Sequence, residues 1–227
     1  MVEWHRRMQP APGRHRLLVY GPALHTKEDS VNQPELTQQA LGILRNPATF
    51  QWYFIPIMAF VVYIYFNEIQ HKNWKAVAAG LSLYAVHWCY EIANALIQHF
   101  FGHALWTVPG GTSFLLLVGV GWELSMMFAV AGLIFWKILP ADPKAKILGI
   151  NNRLFWAIGN AAFFSVFEIF LASTPAFHWV YPWWGALPVF VTTYIPFFLA
   201  ANFVPDWPAR RQKLFIGGLF GLDALLL

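Results

Sequence analysis

Between Tyr84 and His103 the sequence reads YAVHWCYEIANALIQHFFGH, and Tyr84, His87, Glu91, Asn94 and Gln98 recur at steps of three and four. In a helix that spacing gathers them into one polar stripe on an otherwise apolar rod. A carboxylate and an imidazole on one face can move a proton. A carboxyl group in an apolar pocket is held neutral and serves as an acid, while a hydrogen-bonded neighbour stays ionised as a base. The segment is long enough to cross a bilayer, where a carboxylate costs roughly 3 kcal/mol on insertion scales and persists when it faces protein, a partner or water. The stripe is therefore expected to line an internal site.

Two further acidic residues, Glu123 and Glu168, fall inside apolar runs. Read as mid-helix positions, Glu91 and Glu123 both lie about 15 Å below the same end of the bundle, with Glu168 a few residues shallower. Glu91 and Glu123 are the expected proton-transferring pair, with His87 tuning Glu91, Asn94 orienting it and Glu168 assisting. Trp88, Trp122, Trp184 and Tyr194, together with Asn94, are expected to meet the substrate, because aromatic faces beside a carboxylate steady a carbocation made by protonating an isoprenoid double bond. Each has a plainer reading. Aromatics in membrane bundles anchor at the interface and pack, and buried amides and hydroxyls hydrogen-bond between helices.

Other chemistries find no support in the spacing. Cys89 is the single cysteine, which excludes an intrachain disulfide framework and multi-cysteine metal sites. His99 and His103 are four apart, but Gly102 is expected to end the helix between them. The pattern at 87 to 91 is His-x-x-x-Glu rather than the Glu-x-x-His of di-iron bundles. No metal and no cofactor is expected, and no Walker loop, nucleophile elbow or dinucleotide fingerprint is present.

The elements that must position these groups follow from composition. The chain is 58% hydrophobic and 18% aromatic with only 11% charged residues, against about 25% charged in a soluble domain. Its mean hydropathy is +0.47. The fold class expected is an all-α integral membrane protein, a bundle of about six transmembrane helices over 50–227 behind a polar N-terminal tail, 1–49, with an interfacial helix at 34–45. The apolar runs are 50–69, 75–101, 112–139, 154–173, 184–204 and a shorter one from Leu214. That last run ends without a polar flank, as a helix continuing further would. Pro188 and Pro196 are expected to kink the fifth run and free a backbone carbonyl.

Loops 102–111 and 174–183 carry no Lys or Arg, whereas the basic loops 70–75, 137–153 and 205–213 are expected to be cytoplasmic. The positive balance belongs to these loops and not to a stripe suited to nucleic acid, so membrane lipids and a lipophilic small molecule are the expected partners. The reading is a membrane-embedded enzyme performing acid–base chemistry (isomerisation, cyclisation or hydration) on a lipophilic, isoprenoid-like substrate. Its rivals are a non-catalytic subunit of a larger membrane complex and a small proton-coupled transporter, each as a homo-oligomer or with other chains.

Overall fold

The computed structural model describes residues 34–227 as a mostly helical bundle; the part of the polar tail before Pro34 lies outside the described residues. In chain order the helices are α1 (Pro34–Ile43), α2 (Phe54–Gln70), α3 (Trp74–Phe101), α4 (Trp122–Trp136), α5 (Asn152–Ala172), α6 (Ala186–Val189), α7 (Ile195–Phe203) and α8 (Ala209–Leu226). Short strands β1 (Trp106–Thr107), β2 (Leu115–Leu117), β3 (Val120–Gly121), β4 (Lys146–Ile147), β5 (Ile150–Asn151) and β6 (His178–Trp179) pair antiparallel as β1–β6, β2–β3 and β4–β5.

The rod carrying the polar stripe, α3, is the axis of the molecule. It packs against α2, α4, α7 and α8, and α5 closes the far side against α7. Asn73 caps its N-terminus, accepting from the Ala76 amide, and Gly102 ends it in the left-handed conformation at φ 80°. Gly132 lets α4 approach closely, because a side chain there would run into the Ala79 carbonyl and Leu83 of α3. One core, built on Leu83, Phe128, Phe164, Tyr194, Phe197 and Phe198, fills the space among α3, α4, α5 and α7.

A second core caps one end of the bundle. Ala40 of α1, Trp106, Val108, Leu115, Val118 and Phe177 pack there, under segments laced by backbone hydrogen bonds such as Arg45 to Leu115, Gln51 to Ser113 and Val180 to Leu105. The two loops without basic residues meet here as the β1–β6 ribbon. The three basic loops gather at the opposite end, joined by ion pairs: Lys137 with Glu68, and both Lys75 and Arg153 with Asp206.

The run 112–139 departs from its expected course. Helix begins only at Trp122, because Leu115–Leu117 and Val120–Gly121 fold as a hairpin. A short apolar run looks alike as strand and as buried helix; here the β-branched Val120 suits extended backbone, and Gly119 falls in the turn between the strands. Two segments are long and apolar enough to cross a membrane by length and composition, Asn152–Ala172 and Ala186–Asp206. By that test α2 and α4 are short at 17 and 15 residues, while the polar stripe of α3 and the charges of α8 lower their apolarity.

The Ala186–Asp206 segment contains a π-helical turn at Phe190–Tyr194, where the Ile195 amide reaches back to the Phe190 carbonyl. Pro196 follows and supplies no N–H for the Thr192 carbonyl four residues before it. The Tyr90 hydroxyl of α3 donates to that carbonyl instead. The freed group is thus satisfied by a side chain, and the turn is pinned to α3.

Candidate functional site

His87 and Glu91 of α3 are one helical turn apart and buried, as the stripe requires. The Glu91 carboxylate accepts from the Trp106 indole N–H at 3.2 Å, and His87 Nε2 lies 3.5 Å from its other oxygen without forming a directed hydrogen bond. The imidazole is sandwiched by aromatic rings, stacked on Phe128 with centroids 4.3 Å apart and flanked by Tyr84 at 6.0 Å. Neither ring nitrogen has a hydrogen-bond partner among the described residues.

From α5, Glu168 is buried as deeply. It accepts from the Trp179 indole at 2.7 Å and from the Tyr194 hydroxyl. Trp106 and Trp179 are directly opposite each other in the β1–β6 ribbon. Opposed residues of an antiparallel pair project on the same face, so one ribbon hangs two indoles, each donating to a carboxylate on a different helix. Asn94 fixes the ribbon to α3: its Oδ1 accepts from the amides of Leu105 (2.7 Å) and Trp106 (3.4 Å), and its Nδ2 donates to the Trp106 carbonyl (2.9 Å). Gly119 lets the β2–β3 turn lie against this knot, where a methyl group would collide with the Trp106 indole and Asn94.

Glu91 and Glu168 line one cavity of about 30 Å³ together with His87, Trp106, Thr193 and Tyr194, its apolar wall being Leu124, Phe128, Phe177, Val189 and Phe197. That volume holds a water and not a lipid.

Glu123 does not line this cavity. It stands in the first turn of α4, where the helix dipole favours an acid. Its carboxylate accepts from Tyr53, from Thr112 Oγ1 at 2.6 Å and from the Ser113 amide. The expected depth assumed a helix from Thr112; because that stretch is a hairpin, Thr112 and Glu123 are side by side. The carboxylates brought to one cavity are therefore Glu91 and Glu168, and Glu123 ties the start of α2 to the start of α4.

The other expected contacts also divide. Tyr194 reaches the cavity, whereas Trp184 stacks behind Trp106 at 6.1 Å and 14°. Trp122 packs edge-on to Phe54 at 5.2 Å, and Trp88 sits edge-on to Tyr84 at 6.2 Å, neither lining the cavity. In the sequence Thr193 reads as a hydrogen-bonding group between helices rather than as part of a site, Phe128 gives no signal beyond apolarity, and Trp106 and Trp179 are not singled out. For those two tryptophans the signal was the aromatic content of the two uncharged loops, since two-residue strands have no readable period. Asp223 of α8 is buried as well, accepting from the Cys89 thiol at 3.0 Å outside the cavity. Among the described residues no group of three metal-ligating side chains converges.

Residues 34–227 match the model of a family described as "Uncharacterized membrane protein family". A protein of Archaeoglobus fulgidus described as "Uncharacterized protein" is 44% identical over 198 residues, covering 85% of this chain and 94% of that relative. No solved structure matches the chain.

Proposed function

Because the chain belongs to this membrane protein family, we propose that it is a membrane-embedded enzyme passing protons to and from a lipophilic, isoprenoid-like substrate. One observation carries the reading: Glu91 and Glu168, from different helices, face a single buried cavity, with His87 beside Glu91. In such a site one carboxyl protonates one carbon of a double bond, leaving the cation on the other, and the second group, as carboxylate, takes a proton from the next carbon beyond the cation, so the bond moves by one position and the acid and base exchange states. If a water deprotonated by the second carboxylate attacks the cation instead, the product is a tertiary alcohol. The rings of Trp106, Phe128, Tyr194 and Phe197 stand where they would steady the cation.

The substrate needs more room than the cavity gives. An apolar groove of about 230 Å³ lies between α4 and α5, lined by Met127, Phe167 and Leu171 with Glu123 and Thr112 at its polar end. Leu124 and Phe177 line both spaces, so displacing these two side chains joins them. In this reading Glu123 holds a polar group of the substrate, while Trp88, Trp122 and Trp184 pack the walls and the interface. The crossings are α2, α3, α4, α5, the α6–α7 segment and α8, with loops 70–75, 137–153 and 205–213 on the cytoplasmic side.

The test uses the protein in liposomes containing a total isoprenoid lipid extract in deuterium oxide. Mass spectrometry should find deuterium on carbon, or added deuterium oxide, in a lipid species. Glu91→Gln and Glu168→Gln should each lower the rate by about 10²-fold or more, with folding retained. An unchanged lipid profile, or full activity in both variants, sinks the proposal.

A further inference from the structure

At the basic end, Asn73, Lys75, Trp136, Lys137 and Arg153 surround a pocket of about 380 Å³, far larger than the acidic cavity. Two helix N-termini converge on it. Lys75 is in the first turn of α3 and Arg153 in the first turn of α5. Cations are disfavoured at the positive end of a helix, so the arrangement breaks a local rule twice at one place.

Two carboxylates hold the cations there. Asp206 bridges Lys75 Nζ at 2.8 Å and Arg153 Nε at 2.9 Å, and Glu68 binds Lys137 while accepting from Asn73 Nδ2 at 2.7 Å. Arg153 is further fixed by donating to the Pro140 carbonyl and by lying 4.7 Å over the Trp136 ring. These contacts orient the cations without exhausting them. Each lysine ammonium has three donors and spends one on its carboxylate, and the side chains of Lys75 and Lys137 are 58% and 50% exposed. Three cations against two carboxylates leave the pocket positive, and the two helix ends add to that field.

We propose that this pocket binds a phosphate group that keeps its net negative charge, either that of an anionic lipid head group at the membrane surface or that of a soluble phosphate monoester. Phosphate matches the surplus of convergent N–H donors that Lys75 and Lys137 present to the pocket. Trp136 and Leu139 give the pocket an apolar side against which a glycerol backbone packs.

The full chain is placed in nanodiscs of phosphatidylcholine with or without phosphatidylglycerol, and bound lipid is counted by native mass spectrometry alongside the melting temperature. Phosphatidylglycerol should be retained and should raise the melting temperature, and the Lys75→Gln/Lys137→Gln double variant should lose about tenfold or more of this affinity. Lys137→Arg should keep it. Glycerol 1-phosphate is added in a second arm. If it binds at the same lysines and displaces the lipid, the ligand is the soluble ester; if it does not, the lipid is. Equal retention of both lipids with no binding of the ester overturns the proposal, as does unchanged anion binding in the double variant. Should that variant fail to fold, the lipid selectivity of the unaltered protein decides alone.

Discussion

At the residue scale, a helical period fixes which side chains share a face but not which partner meets them from elsewhere. Tyr84, His87, Glu91 and Asn94 were legible as one stripe, and His87 and Glu91 do line the buried cavity. The partner was not legible: Glu123 and Glu168 are both acids in apolar runs, and only the start of α4 decides between them. Asn94 illustrates the same limit. It was expected to orient Glu91 and instead binds the backbone of Leu105 and Trp106, acting on Glu91 only through the indole. Replacing Asn94 with Leu leaves two amides and a carbonyl without their side-chain partner, and should cost about 3 kcal/mol of stability, measured by unfolding in detergent. A loss under about 1 kcal/mol would mean that the ribbon is held by other contacts.

At the element scale, helices longer than three turns were readable from apolarity and the short strands were not. The β1–β6 ribbon pairs residues about seventy positions apart through two-residue strands, so no local pattern announces it. Its own residue His178 offers a handle. Burial holds the His178 imidazole below its usual pKa, so the fold prefers it neutral. A base depressed in the folded state contributes stability fully above the unfolded pKa of about 6.5 and loses it as pH falls below that value. Hydrogen exchange at the Val180 amide, which bonds to Leu105, should therefore speed up on going from pH 7.5 to pH 5 after correction for intrinsic rates, and His178→Gln should abolish that difference. A difference that persists in the variant would place the titrating group elsewhere.

At the scale of the whole molecule, the chain sorts its polar chemistry to two ends. Asp206, Lys75, Arg153, Glu68 and Lys137 tie together the basic loops at one end, and a cap of uncharged loops closes the other. The separation was legible from loop charges alone. The ion pairs were not, because they join helices distant in sequence. In a Cys89→Ala background, Lys144→Cys and Pro175→Cys should react with an impermeant maleimide from opposite faces of sealed vesicles; labelling of both from one face would refute the six-crossing arrangement. The paired indoles of Trp106 and Trp179 carry a last consequence. Since a single rung of that ladder carries both indoles, lifting it would release the Glu91 and Glu168 carboxylates together rather than one at a time.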